Sequence, residues 1–142
     1  MENNIKYLEK LRKSGLRPTK QRIKICEVLF NSEKTFHFSI NDLVKKIRRE
    51  TKEKISLATV YNTVQSFEKR GYLKEIAINS EKRYFDTNVS DHHHFYDDET
   101  KELIDLHNFE VGPIKISKKI PGKKIKSVEV LVKVETDNQN QK

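Results

Sequence analysis

SLATVYNTVQSFEKRG at 56–71, running on into YLKEIAINSEKRYFDT at 72–87, decides the fold of this chain. Ser56 is placed to cap a helix and Gly71 to end it. Leu57, Val60, Val64 and Phe67 recur at helical spacing and predict one buried stripe. At 100° per residue, Ala58, Thr59, Asn62, Gln65, Ser66 and Lys69 fall on the opposite face, with Tyr61 at the border. A small, amide-rich outer face fits a major groove and offers Asn62 and Gln65 to base edges. An ordinary amphipathic surface helix has the same pattern, so the segment downstream of it matters. Leu73–Ile78 and Lys82–Thr87 are β-type runs separated by Asn79, Ser80 and Glu81, which is a hairpin signal. Helices leading directly into a hairpin predict a winged helix-turn-helix, whose last helix reads DNA.

Upstream, three more helices are expected. Residues 2–14 carry Ile5, Leu8 and Leu11 on one side, with Gly15 as a stop. Thr19 is set to cap a helix over about 20–31 bearing Ile23, Cys26 and Phe30, and Ser39 with Asp42 to cap one over about 40–50. Arg17 stands just ahead of the second helix, within reach of a phosphate or a narrow minor groove. Residues 1–83 carry 20 Lys/Arg against 10 Asp/Glu, a balance of +10, whereas residues 84–142 carry 9 against 11, a balance of −2. The two sum to the net charge of +8. A basic front on a neutral back points to a polyanion as partner of the front, although a lysine-rich composition alone has the same effect. With the winged helix at 1–87, the expected polyanion is double-stranded DNA.

From residue 91 the pattern changes. His92–Tyr96 and Glu102–Leu106 read as short strands joined by the acidic, solvated turn Asp97–Asp98–Glu99–Thr100. Gly112 and Pro113 start a short expected helix to Ile120, and Lys124–Glu135 alternates as a third strand. The fold class is thus α+β: a winged helix at 1–87, a small α/β domain with a three-stranded antiparallel sheet at 91–136, and a disordered tail at 137–142. So small a second domain buries little core alone, and a homodimer is expected to complete it. The single cysteine, Cys26, excludes an internal disulfide and a multi-thiolate zinc site, and reads as a core residue. No stretch nears the roughly 20 apolar residues of a membrane span. No secretory h-region is present, so a cytoplasmic protein without membrane partners is expected.

Two apart on a strand, His92 and His94 share a face, and His93 takes the other. Asp86, at the end of the wing, and Asp105, on the next strand, are suitable carboxylate partners, and His37, in the loop before the third helix, is a fifth candidate. Imidazole and carboxylate together suit divalent iron, manganese, cobalt or zinc, and disfavour copper(I). Haem is a second candidate ligand, through His92, His93 or His94. Spacing alone leaves a specific site and an adventitious one both open.

LRPTKQR (16–22), SLATVYNTVQSFEKRG (56–71), YFDTNVSDHHHF (84–95) and LIDL (103–106) resemble the ferric uptake regulator superfamily, most closely its iron response regulator branch. The resemblance spans about residues 5–135. It implies a dimer of two-part chains, AT-rich inverted-repeat operators, and a regulatory metal between the parts. It assigns that metal to His37, Asp86, His92, His94 and Asp105. It also implies that Tyr61 meets a thymine methyl and that Arg17 probes the minor groove, while Asn62 stands where relatives often have arginine. Lys20, Thr59, Gln65 and Lys69 complete the candidate DNA-binding set. The paired CxxC motifs of a structural zinc are missing, as is a Cys-Pro haem motif. Asp91 and His93 represent half of the superfamily's additional metal site. In the branch it resembles, the regulator acts when iron is scarce and haem disables it.

The function expected is a metal- or haem-responsive regulator of iron and haem genes. One alternative is a constitutive winged-helix protein with a vestigial ligand site. A His/Asp metalloenzyme ranks far below, because no nucleophile motif or phosphate-cradling loop appears and the chain has only four glycines.

Overall fold

The computed structural model describes residues 2–79 and 81–140. Ser80, expected in the hairpin turn, and Gln141 and Lys142, expected in the tail, lie outside the described residues, as does Met1. The chain divides into two compact units, the first ending at Val89 and the second beginning at Ser90.

Unit 1 contains α1 (Glu2–Lys13), α2 (Lys20–Phe30), β1 (His37–Phe38), α3 (Ile40–Thr51), α4 (Leu57–Arg70), β2 (Lys74–Ala77) and β3 (Arg83–Asp86). Three helices begin at side-chain caps read from the sequence. Thr19 Oγ1 accepts the Arg22 N–H at 3.2 Å, Ser39 Oγ the Asp42 N–H at 3.1 Å, and Ser56 Oγ the Thr59 N–H at 3.2 Å. Each cap satisfies an otherwise orphaned donor and stabilises by about 1 kcal/mol. Gly71 ends α4 in the left-handed region at φ 94°, and Lys52 ends α3 there at φ 61°.

Which helical faces are buried differs from the expected stripes. On α1 the core residues are Tyr7 and Leu11, one turn apart, while Ile5 is 65% exposed. On α4 Val60, Val64 and Phe67 are buried as expected, but Leu57 lies beyond the core's edge at 53% exposure. Thr63 takes the remaining core position, which its hydroxyl tolerates by donating to the Thr59 carbonyl at 2.7 Å. Helix α2 packs against α1, α3 and α4, so Ile25, Val28 and Leu29 are buried along with Cys26, and Ile23 and Phe30 only partly. A helix enclosed on several sides shows no single stripe.

Strands β2 and β3 pair antiparallel as the hairpin, and Asn79 Oδ1 closes its turn by accepting the Glu81 and Lys82 N–H groups at 2.8 Å each. The sheet order is β1-β3-β2. Strand β1 replaces the loop expected around His37: His37 pairs with Asp86 and Phe38 with Phe85. The Phe38 and Phe85 rings stack at 5.8 Å over the helical core.

Unit 2 contains β4 (His93–Asp97), β5 (Leu103–Leu106), a 3-10 turn at Asn108–Glu110, β6 (Leu131–Val134) and a second 3-10 turn at Asn138–Asn140 in the expected tail. Its sheet has the order β5-β4-β6. β4 and β5 are antiparallel, but β6 runs parallel to β4, so this sheet is mixed rather than wholly antiparallel. The topology requires it: β5 ends beside His93 and β6 begins beside His94, so the chain leaves and re-enters at the same end of the sheet.

The helix expected from Gly112 to Ile120 does not form, and only Leu131–Val134 of the alternating run is paired. Lys115, Lys118 and Lys119 would repel at i,i+3 and i,i+4, and Ile114, Ile116 and Ile120 are β-branched, so both terms disfavour helix there. In the acidic turn, Asp97 Oδ1 accepts the Glu99 and Thr100 N–H groups. Those bonds hold its carboxyl below the usual carboxylate range.

Candidate metal centre and nucleic-acid interface

The candidate donors form two groups, one in each unit. In unit 1 the β1–β3 pairing sets His37 opposite Asp86, with His37 Nε2 at 3.5 Å from Asp86 Oδ2. Asp86 is buried, and its other oxygen, Oδ1, accepts the Asn88 N–H at 2.8 Å, which orients the carboxylate.

In unit 2 the β4–β5 register places His94 opposite Asp105. Asp105 Oδ1 lies 3.4 Å from His92 Nε2 and 3.5 Å from His94 Nε2, and the two imidazole rings are 4.4 Å apart. His92 Nδ1 is 2.8 Å from the Ser90 carbonyl oxygen. A carbonyl only accepts, so Nδ1 carries the proton and Nε2 the lone pair, the tautomer a metal ligand needs.

The spacing is informative. Separations of 3.4 to 3.5 Å exceed those of a charge-assisted hydrogen bond, roughly 2.7–2.9 Å. They are short enough for the two donors of a pair to share one ion. Donor type and spacing in both groups, and the tautomer of His92, fit a divalent metal.

His93 does not join its neighbours. Its Nδ1 accepts the Val130 N–H at 2.9 Å, which puts the proton of the neutral ring on Nε2 and leaves no lone pair for an ion or haem iron. It ties β4 to the chain entering β6. With Asp91 it lines a cavity of about 290 Å³ beside Asn108, whose amide donates to the Asp91 carbonyl. The Ser90 and Val130 contacts were not foreseen from the sequence, since backbone partners carry no residue signature.

The candidate DNA-binding residues all lie in unit 1. Tyr61 and Asn62 are exposed on α4 and line a groove of about 640 Å³ between the start of α3, α4 and the hairpin. Asn41, Lys82 and Arg83 share that groove and were missed; their place in the hairpin and beside a capped helix start was the available signal. Arg17, Lys20 and Lys69 are exposed, and Gln65 is half-buried. The Thr59 hydroxyl is engaged in the α4 cap by Ser56. Among the described residues, no helix is long and apolar enough to cross a membrane.

Comparison with known proteins matches residues 13–135 to the ferric uptake regulator family. The chain belongs to that family. Its relatives include the peroxide operon regulator of Bacillus subtilis, 34% identical over 100 residues covering 70% of this chain and 67% of the relative. The ferric uptake regulation protein of Pseudomonas fluorescens is 33% identical over 102 residues, covering 71% and 81%. Among solved structures, the ferric uptake regulator of Pseudomonas aeruginosa with manganese aligns at a TM-score of 0.67 and 27% identity, over 93% of this chain and 98% of that one. These matches establish the α+β fold of winged helix plus small second domain. Ferric uptake regulators are transcriptional regulators, so the chain is not an enzyme.

Proposed function

We propose that this family member is a homodimeric, cytoplasmic, metal-responsive regulator of iron genes that binds AT-rich inverted-repeat DNA. The observation that carries the reading is the donor arrangement around Asp105, with two imidazole Nε2 atoms 3.4 and 3.5 Å from one carboxylate oxygen. We assign His92, His94 and Asp105 of unit 2, together with His37 and Asp86 of unit 1, to one divalent ion. Five nitrogen and oxygen donors suit iron or manganese, with zinc as a competitor. When bound, the metal supplies a cross-link between the DNA-reading and dimerising parts.

The chain's own residues do the rest. Tyr61, Asn62, Gln65 and Thr59 present α4 to base edges, while Arg17, Lys20 and Lys69 hold phosphates or a narrow minor groove. In a dimer the two α4 helices must meet successive major grooves about 34–36 Å apart, a spacing sensitive to the angle between the parts. A coupling of ~1–3 kcal/mol through that angle changes affinity 5–150-fold. The absence of paired thiols and the His92–His93–His94 run support the iron response regulator branch. Because His93 Nδ1 is committed to Val130, a haem response in that branch rests on His92 and His94.

The test is fluorescence anisotropy of a labelled AT-rich inverted repeat, titrated with metal-free protein, then with manganese, then with haem. Manganese is expected to tighten binding at least fivefold, haem to release it, and His92→Ala with His94→Ala to abolish both responses. Equal affinity in all three states would sink the sensor reading and leave a constitutive DNA binder.

A further inference from the structure

Unit 2 as a whole is near neutral, yet its charges are segregated. Six of the nine basic residues found after residue 83 lie in one stretch: Lys115, Lys118, Lys119, Lys123, Lys124 and Lys126. No acidic residue occurs from Val111 to Val128. Every residue from Gly112 to Glu129 is exposed, and none belongs to a helix or strand. Structureless segments longer than about 12–15 residues are uncommon in a small domain and usually serve function or act as linkers. This one is not featureless. Pro121 and Gly122, the latter at φ 76°, form a tight turn closed by the Lys123 N–H on the Ile120 carbonyl at 3.0 Å. Lys118–Lys119 and Lys123–Lys124 thus flank its tip. None of the six lysines forms an ion pair with a carboxylate among the described residues.

We infer that this lysine loop is a second DNA-binding surface, gripping the phosphate backbone of a duplex without reading its sequence. Composition selects that partner. Between Val111 and Val128 there is no Asn, Gln or Arg, so the loop lacks the bidentate groups of base readout. No aromatic residue follows Phe109, so it has no stacking platform for single strands, and its exposed Ile114, Ile116, Ile120 and Ile125 lie in a segment with no helix to gather them on one membrane-facing side. It offers instead a row of unpaired ammonium groups, which bind phosphate as point charges. The surface is independent of α4 and of the metal donors, and goes beyond the function proposed above.

The experiment uses the full chain with Lys118→Gln, Lys119→Gln, Lys123→Gln and Lys124→Gln together, binding a random-sequence duplex over a range of salt. Each phosphate contact contributes about 0.9 to the slope of log K against log salt, so the slope should fall by about 3–4. The matching four Lys→Arg substitutions should restore it, and circular dichroism and sedimentation should match wild type. An unchanged slope would overturn the inference, as would a variant that loses binding only to vesicles of anionic phospholipid. Metal-independent operator binding by the wild type would instead count against the proposed function, leaving the loop's salt slope on random duplex to stand by itself.

Discussion

Cys26 lies fully buried among Leu11, Leu29 and Phe67 in the core of unit 1. Burial pushes its thiol from 9.0 up to about 12; Lys10 opposes the rise and Glu27 adds to it. Unfolded chains release this proton near 9 while folded ones hold it, so stability is fully present below pH 9 and is lost as pH rises toward 12. The slope reaches ~1.4 kcal/mol per pH unit. Urea titrations at pH 8, 9.5 and 10.5 should therefore show a shallower alkaline loss in Cys26→Ala than in wild type. Equal losses would mean the thiol does not govern it. At this scale the sequence was most legible in side chains that act by type and spacing, such as His92, His94 and Asp105. It was least legible where a backbone atom decides, as when the Ser90 carbonyl sets the His92 tautomer or Val130 occupies His93.

Helices α1 to α4 were readable because caps and stops are local, whereas the buried faces of α1 and α2 depend on the neighbours packed against them and were not. Strand β1 was not, since two residues carry no periodicity and pair only through β3. The segment after Gly112 misled for the opposite reason: a Gly-Pro start suggests a helix, but the lysines behind it repel. One element end is strained. Lys52 closes α3 at φ 61°, a region that favours glycine. Lys52→Gly should raise stability by about 0.5–1 kcal/mol in urea unfolding, the relief of backbone strain outweighing glycine's extra freedom when unfolded. A loss of stability would show that the lysine side chain contributes more than the strain costs.

Across the molecule, basic charge is concentrated in unit 1 and exposed apolar side chains in unit 2. Unit 1 holds the positive excess that draws in DNA. Arg17→Ala should lower the salt slope of operator binding by about 1, a phosphate's worth, without altering the response to manganese. A slope unchanged in anisotropy titrations would remove Arg17 from the interface. Unit 2 leaves Ile104 and Phe109 exposed, apolar surface suited to the proposed dimer. The parallel strand β6 bears on a different matter, the order in which the parts are made. Every residue of the helical core lies between Tyr7 and Phe85, whereas β4 gains its second neighbour only with Leu131–Val134. As the chain emerges from the ribosome, amino end first, unit 1 has its whole core available before β6 has been translated. The helical core can therefore close while the sheet that carries His93, His94 and Asp105 still lacks its last strand.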